Sequence, residues 1–453
     1  MISQAPNTRY VARKRRTQED KRFVTGRGVF VQDIERPGML HVAALPCPYP
    51  RARINNIDFS AALAMPGVHA VLDGAELAAA TNPLYGGLKT PGVKWRPLAF
   101  ELSRYAGEWV AAVAADSRAI AEDAMELIEV DYTPTDPVID PEEAYQAGSP
   151  QVHPEHGSNV LYDGEFTWGP VDDDFAAADH SLSFRARWHR SSTVPIETFG
   201  AVAEWDEGKG ILDVWASIQM PNYADQIAGA MGIPLNAVRV HQDVDVGGSY
   251  GVKRGIKHTV LIGYLSRKLE RPIRLIEDRL DNMGGGDAHG PDRIFDTQVA
   301  YNADGMIKSL KIRALDDAGA YPGRGPFQLG KPIAAIVGPY TINSVHYEAI
   351  SVTTNKTGQV PVRGFGQAPT NYMLERAVDK VAAALGMDRI EIRRRNFIQP
   401  DQFPYEQPSG TKYDSGNYPA VMDKVLALAN FDALCARRDE IRSFRARLSP
   451  CFA

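Results

Sequence analysis

The sequence predicts an α+β protein with two domains joined by a proline-rich connector. Short alternating or apolar runs indicate strands, segments with helical periodicity indicate amphipathic helices, and a cluster of prolines separates two such regions. At 453 residues the chain is long enough for about two to four domains. We divide it into an N-terminal arm (1–22), a first domain (23–133), a connector (134–159) and a second domain (160–453).

The first domain reads as a small α+β unit. Residues 109–115 form an apolar run of strand length, and residues 128–132 alternate as a half-buried strand does. Ser60 and Ser117 are predicted N-caps of two helices, the first of them ending at Met65. Further strands are predicted at 39–45 and 68–72.

The connector is defined by its prolines. They stand at positions 134, 137, 141, 150 and 154. Because proline fixes φ and lacks an N–H donor, this density predicts an extended segment over the surface, without a packed element.

The second domain mixes alternating strands with amphipathic helices. Gly232 and Gly386 are predicted helix ends, and Asp388 is a predicted N-cap. Strands are predicted at 211–217, 238–246, 272–277 and 346–354, with alternation also around Leu310–Ala314, and helices at 223–231, 257–268, 371–385 and 389–395.

Composition excludes several classes of protein. A net charge of −6 argues against a nucleic-acid partner, and no apolar window reaches the roughly eighteen residues needed to cross a membrane. The basic run at 13–16 is followed by polar residues, so we interpret it as an exposed arm and expect a cytoplasmic protein. Cys47, Cys435 and Cys451 are too few and too dispersed for a disulfide framework or an iron–sulfur cluster.

Residues 245–253 (DVGGSYGVK) form a glycine-rich turn after a predicted strand. Consecutive glycines allow backbone N–H groups to point into one concavity and allow an anion to approach the main chain. The spacing is neither that of a Rossmann turn nor that of a P-loop, and Lys253 is followed by Arg254. By itself the segment is equally consistent with a tight structural turn.

Two other segments add donors of the kind that bind anions. Gln219 supplies a carboxamide, although a glutamine after a strand is usually a surface residue. Arg363 stands beside Gly364 and Gly366, so a loop would position its guanidinium. Phe365 is either an aromatic surface for stacking on a flat ring or a core residue.

Other catalytic chemistries lack support. The histidines have no partners at a convincing metal-ligand spacing, so we assign no metal held by protein ligands. A G-x-S-x-G elbow is absent, which leaves Ser-His-Asp hydrolysis unsupported.

With these segments together, the chain resembles the molybdenum-cofactor subunit of the xanthine dehydrogenase and aldehyde oxidase family. The resemblance covers nearly the whole chain, in ordered motifs that include residues 22–28 (RFVTGRG), 105–108 (YAGE), 391–396 (EIRRRN) and 413–419 (YDSGNYP). It implies an α/β-hammerhead domain followed by the first half of a molybdopterin-binding domain.

The resemblance also implies roles for the predicted site residues. In the family, the glutamine at Gln219 and the main-chain N–H at Tyr250 hold the oxo side of the molybdenum centre. An arginine at Arg363 belongs to the same pocket, and an aromatic residue at Phe365 packs on the substrate ring. The cofactor-binding set is Gln219, Gly247, Gly248, Ser249, Tyr250, Gly251 and Arg363, with Ser249 replacing a usual glycine and Tyr250 a usual phenylalanine.

Several departures from the family narrow the expected activity. A relative that oxidises carbon monoxide carries a copper-binding cysteine in the Arg363 loop, where this chain has Gly364-Phe365-Gly366. Purine oxidisers carry a glutamate where this chain has Arg254, and Arg324 is out of register with their second arginine. Family members also continue through a second half that supplies most pterin contacts and a glutamate general base. We therefore expect that base on a partner chain, the present chain being one half of a split subunit or a truncated product.

The implied activity is that of a molybdenum hydroxylase component that oxidises an aldehyde or an N-heterocyclic carbon, with water as the oxygen source. The expected cofactor is a molybdopterin-type molybdenum cofactor shared with a second molybdopterin-binding chain. Electrons would pass to Fe-S and FAD groups on other subunits. The alternative is a non-catalytic half-subunit or scaffold that needs a partner chain to complete the pocket.

Overall fold

The computed structural model describes residues 17–84, 90, 92–286 and 288–448, apart from the side chains of residues 445–448. Most of the predicted N-terminal arm, with its basic run, and Cys451 lie outside the described residues. Within them, Cys47 and Cys435 are free thiols, and no helix combines the length and apolar character required to cross a bilayer.

Seventeen strands are described. They are β1 (Leu40–Pro46), β2 (Ala52–Asp58), β3 (Val68–Asp73), β4 (Leu102–Ser103), β5 (Trp109–Ala115), β6 (Glu129–Pro134), β7 (Val160–Trp168), β8 (His180–Trp188), β9 (Gly200–Asp206), β10 (Ile211–Ala216), β11 (Val238–His241), β12 (Ile273–Ile276), β13 (Arg293–Tyr301), β14 (Ile307–Asp317), β15 (Ser344–Val352), β16 (Tyr405–Glu406) and β17 (Lys412–Tyr413).

Fourteen α-helices are described, and short 3₁₀ turns lie between some elements. The helices are α1 (Asp20–Val24), α2 (Ser60–Ala64), α3 (Gly74–Ala80), α4 (Arg118–Met125), α5 (Pro141–Tyr145), α6 (Val171–Ala177), α7 (Tyr223–Met231), α8 (Ile256–Leu269), α9 (Arg279–Gly284), α10 (Gly325–Gly330), α11 (Gln367–Leu385), α12 (Arg389–Asn396), α13 (Tyr418–Ala429) and α14 (Phe431–Leu448). The mixture confirms the predicted α+β class.

One seven-stranded sheet joins the two predicted domains. Its order is β11-β10-β9-β12-β1-β5-β3, and β1 pairs in parallel with β12 at Leu40 and Ile273. Strands from before and after the connector therefore share one hydrogen-bonded ladder. The seven residues of β5 are all buried, as expected for an apolar run in the interior of a sheet.

The second large sheet has five strands, in the order β7-β15-β14-β13-β8. Helix α11 packs on this sheet, and its buried residues share a core with β13, β14 and β15. Helix α8 packs on β9 and β12 of the larger sheet, with ten buried residues along its length. The glycine turn lies between β11 and α8 in the chain.

The connector differs from its prediction. Val138, Val152 and His153 have no exposed surface, and α5 forms inside the segment. Asn355 accepts a hydrogen bond from the N–H of Val138 at 2.9 Å. The expectation of an unpacked surface segment is therefore wrong. Pro141 occupies the first position of α5, where the helix does not use the backbone N–H, so the proline does not prevent the helix from forming.

Two strand and helix boundaries also differ. Strand β11 ends at His241, not at residue 246, because Asp245 exchanges hydrogen bonds with Val29 of the N-terminal segment. Helix α11 begins at Gln367, four residues before the prediction; Pro369 lies in its first turn, where the missing N–H is tolerated.

Helix capping gives the first prediction. Ser117 caps α4 by accepting the N–H of Ile120 at 3.2 Å, as expected, whereas Ser60 is the first residue of α2 and the Asp58 carboxylate accepts its N–H at 2.9 Å. The predicted cap at Ser60 is therefore wrong, since a nearby carboxylate is the better acceptor.

We expect Ser117→Ala to lower the free energy of unfolding by about 1 kcal/mol in denaturant titrations. Ser60→Ala, the control, should have the smaller effect; equal losses would contradict this assignment.

The buried histidine of the connector gives the second prediction. Burial lowers the pKa of His153 from 6.5 to about 3, and the Arg104 charge acts in the same direction. Between about pH 6.5 and about pH 3, the folded chain therefore binds fewer protons than the unfolded chain. Stability is lost as the pH falls through this window.

In urea titrations across this window, His153→Gln should flatten the pH dependence by up to about 1.4 kcal/mol per pH unit. Glutamine provides an amide donor for the Ala320 carbonyl, which His153 Nε2 contacts at 2.5 Å, without a titrating ring. The exposed His180→Gln variant is the control. An unchanged slope in His153→Gln would show that His153 does not contribute.

Candidate functional site

The glycine turn adopts backbone conformations that side chains rarely allow. Gly248 has a φ of 90° and Gly251 a φ of 113°, while Tyr250 has a φ of 56° although it is not glycine. Residues held in this left-handed region are uncommon and are typical of sites where function constrains the backbone. Left-handed residues in short succession also turn neighbouring N–H groups into an anion-binding concavity.

The N–H groups of the turn are divided between internal and free donors. Gly247 donates to Glu197 Oε2 at 2.6 Å, and Gly251 donates to Gln219 Oε1 at 2.9 Å. Within the described part of the chain, the N–H groups of Gly248, Ser249 and Tyr250 have no acceptor. The middle of the turn thus presents three consecutive free donors.

Gln219 lies three residues after β10 and has an exposed side chain. Its N–H donates to the Lys253 carbonyl at 3.3 Å, so the residue is bonded to the turn at both its main chain and its side chain. Because Oε1 accepts the Gly251 N–H, the Nε2 amide group is left as a donor at the cavity.

Arg363 lies at the exposed corner of a β-turn. The Val362 carbonyl accepts the N–H of Phe365 at 2.8 Å, and Gly364 supplies the positive φ of 102° at the third position. Gly366 has no room for a side chain, because a Cβ atom there would lie 1.9 Å from the Gln328 carbonyl oxygen. No carboxylate among the described residues pairs with the Arg363 guanidinium, which is therefore available to a ligand.

The two loops meet at one open cavity of about 370 Å³. It is lined by Gln219, Tyr250, Gly251, Pro361, Val362, Arg363, Gly364 and Phe365. The structure therefore brings Gln219, Tyr250 and Arg363 together, although they are distant in sequence. Gly247, Gly248 and Ser249 lie along the turn, outside the described lining of the cavity.

Phe365 lines this cavity with a half-buried side chain. Like Tyr250, Phe365 is a non-glycine residue in the left-handed region, with a φ of 49°. The Lys331 ammonium lies 5.3 Å from the centre of the ring, which is the geometry of a cation–π contact. The ring is thus held between the cavity and a positive charge.

The residues fit a large anionic cofactor. A carboxamide, a guanidinium and free main-chain amides are donors, and no carboxylate is among the described residues that line the cavity. The described residues also contain no group of three or more His, Cys, Asp or Glu side chains placed to hold a metal ion. A metal here would therefore be carried by the cofactor, with the protein binding its anionic surroundings.

A larger cavity of about 800 Å³ lies elsewhere, on the face of the five-stranded sheet. Its charges are paired with each other: Arg313 with Asp296 and Glu348, and Lys311 with Asp172. Such a face is an ordinary solvated surface, so donor chemistry, and not cavity size, identifies the site.

Sequence reasoning missed Glu197, which lies behind the glycine turn. Its Oε2 atom is 2.5 Å from Lys253 Nζ, and Lys253 is almost completely buried. Burial lowers the pKa of Lys253, and the contact with Glu197 opposes that shift. A lysine inside a buried turn is a signal that a carboxylate must lie nearby, but the sequence does not indicate which of 56 acidic residues it is.

The close contact at Gly251 gives the third prediction. A Cβ atom there would lie 2.2 Å from the Pro361 carbonyl oxygen. Gly251→Ala should therefore lower the free energy of unfolding by more than about 2 kcal/mol in denaturant titrations, from strain and overpacking together. Gly229→Ala in α7, where a Cβ atom meets open space, is the control and should stabilise by roughly 0.5–1 kcal/mol. A neutral Gly251→Ala would contradict the close contact of the two loops.

Comparisons with known proteins identify the two domains of this chain. Residues 152–397 match the family model of the molybdopterin cofactor-binding domain, and residues 25–136 match the aldehyde oxidase and xanthine dehydrogenase a/b hammerhead domain. The carbon monoxide dehydrogenase large chain of Hydrogenophaga pseudoflava is 35% identical over 92% of this chain and 54% of its own length. Quinoline 2-oxidoreductase from Pseudomonas putida 86 superposes with a TM-score of 0.84 at 33% identity, over 94% of this chain and 55% of that one.

The chain thus spans about half the length of these relatives. The chain covers more of the nicotinate dehydrogenase large molybdopterin subunit of Eubacterium barkeri: the two are 28% identical over 83% of this chain and 86% of that subunit. The order of the two matched domains confirms the predicted hammerhead and molybdopterin-binding architecture. The chain belongs to the molybdopterin-dependent oxidoreductases of the xanthine dehydrogenase and aldehyde oxidase family, among the large molybdopterin-binding subunits.

Proposed function

We propose that this chain is one component of a molybdenum hydroxylase that oxidises an aldehyde or an N-heterocyclic carbon, with water as the oxygen source. The observation that carries the proposal is the meeting of Gln219, Tyr250 and Arg363 at one cavity whose described lining has no carboxylate. When bound, the molybdopterin-type cofactor supplies the two-electron redox centre for the oxidation.

The residues of this chain would bind and orient the cofactor. The Gln219 amide and the Tyr250 N–H would hold the anionic part of the cofactor, since both are donors at the cavity. The N–H groups of Gly248 and Ser249 extend this set along the turn. Arg363 adds a fixed positive charge, because its turn, and not a salt bridge, sets its position.

A proton acceptor must come from elsewhere. Glu197, the carboxylate behind the turn, is already bonded to Gly247 and Lys253 and is not part of the cavity wall. The general base therefore belongs to further polypeptide, which we place on a second molybdopterin-binding chain. Fe-S and FAD subunits complete the proposed electron path, and the complex is proposed to be cytoplasmic.

The substrate class follows from the cavity wall. Phe365 offers an aromatic surface to a flat ring, and quinoline 2-oxidoreductase, whose name includes an N-heterocycle, superposes well on this chain. Carbon monoxide is disfavoured because the Arg363 loop holds no cysteine; Cys47 is buried near β5 instead. Arg254 is buried too, with its Nε 3.3 Å from Met220 Sδ, so it does not recognise a purine at the cavity.

A second candidate is a non-catalytic half-subunit that only completes a partner's pocket. The absence of a carboxylate from the described lining of the cavity is compatible with both candidates, because neither has a proton acceptor for turnover on this chain alone. The two candidates differ in whether the assembled complex oxidises a substrate.

The fourth prediction separates them. The chain is purified alone and with the products of its neighbouring genes, and molybdenum and pterin are measured by mass spectrometry. We expect little cofactor on the isolated chain, stoichiometric cofactor in the complex, and oxidation of quinoline or benzaldehyde by the complex. Cofactor without turnover supports the half-subunit, and a complex without molybdenum contradicts both candidates.

In the active complex, Gln219→Ala and Arg363→Ala should each lower kcat by roughly 10- to 100-fold. Arg363 has an exposed side chain without a described ion pair, so Arg363→Ala should leave thermal unfolding unchanged. Gln219→Ala loses the bond to the Gly251 N–H and should lower the free energy of unfolding by about 1 kcal/mol, without unfolding the chain. The exposed Gln242→Ala variant is the control. Wild-type kinetics in either site variant would remove that residue from the site.

A further inference from the structure

One carboxylate oxygen behind the glycine turn binds both ends of it. Glu197 Oε2 accepts the Gly247 N–H at 2.6 Å and lies 2.5 Å from Lys253 Nζ. The Glu197 N–H also donates to the Gly247 carbonyl, at 3.4 Å. Residues six apart in sequence are therefore joined through one side chain, and the three free N–H groups lie between them.

The contact is enclosed. The Lys253 side chain is 1% exposed and that of Glu197 is 21% exposed. A buried ammonium requires a counter-charge, and Glu197 is the carboxylate in contact with it. Glu277 also raises the pKa of Lys253 from a longer range, and Arg279 lowers it. Among the described residues, Glu197 supplies the only direct carboxylate contact to Lys253.

The segment that carries Glu197 also lies against the turn sterically. A Cβ atom on Gly247 would lie 2.6 Å from the Glu197 Cβ, and one on Gly248 would lie 3.4 Å from the Pro195 Cβ and 3.2 Å from the Tyr250 ring. Inside the turn, Ser249 Oγ accepts the Lys253 N–H at 3.2 Å. Side-chain bonds and close packing thus act on the same few residues.

We propose that Glu197 is a positioning residue: through Gly247 and Lys253 it holds the turn in the conformation that leaves the Gly248, Ser249 and Tyr250 N–H groups free for an anionic ligand. Glu197 itself does not line the cavity. That the ligand is the molybdenum cofactor rests on the proposed function; that the turn is held by Glu197 does not.

The variants separate the two bonds. Glu197→Ala removes both. The double variant Glu197→Gln with Lys253→Met removes both charges together but keeps an amide oxygen for the Gly247 N–H, and so avoids an unpaired buried charge. Glu204→Ala is the matched control, because Glu204 lies in β9 with a 29% exposed side chain and one ion pair, to Arg36 at 2.6 Å.

The first measurement is hydrogen exchange of the full chain, followed by mass spectrometry of peptides that cover residues 245–253. Loss of bonds to a charged acceptor should speed exchange there by about tenfold or more in Glu197→Ala. Peptides from α11 should exchange at the wild-type rate. The double variant should recover most of the protection, and Glu204→Ala should match the wild type.

The second measurement is the molybdenum content of the co-purified complex. We expect it to fall by about tenfold in Glu197→Ala and to recover in the double variant, with thermal unfolding of the two variants compared. Unchanged exchange in Glu197→Ala overturns the proposal, and so does faster exchange with full molybdenum content. A double variant as impaired as Glu197→Ala also overturns it. A wild-type complex without molybdenum removes the proposed function, while the exchange result still decides whether Glu197 holds the turn.

Discussion

The close approach of two loops is the constraint on which the candidate site depends. Gly251 lies so near the Pro361 carbonyl that no side chain fits, and its N–H is held by Gln219. This contact places the free amides of the turn beside the loop of Arg363. Because close-packed backbone cannot shift without losing contacts on both sides, the donors keep a defined spacing.

The fold positions these loops through a sheet that crosses the connector. Strand β1 pairs with β12, β12 pairs with β9, and β9 pairs with β10, the strand that precedes Gln219. Helix α8, which begins soon after the glycine turn, packs on the same sheet. The hammerhead region is therefore a structural part of the layer that carries the site, and not a separate unit beside it.

Electrostatics at the candidate site and at the cavity of about 800 Å³ on the five-stranded sheet are opposite in kind. At the larger cavity, cations and carboxylates neutralise each other in exposed pairs, which contribute little to binding. At the candidate site, Lys253 binds the nearest carboxylate, Glu197, while Arg363 has no carboxylate partner in the described chain. The site thus retains donors without acceptors, which is the arrangement that attracts an anion.

The sequence by itself determined the family and about half of the elements, and it indicated the candidate site residues, because apolar periodicity, capping residues and glycine spacing are local signals. Strand β5 and the caps at Ser117 and Asp388 agree with the predictions. Tertiary structure alone decided the packed connector around His153, the early end of β11 and the role of Glu197 behind the turn. These depend on partners far apart in sequence, such as Val29 with Asp245, and no local pattern specifies which distant residue will fill a buried hydrogen bond.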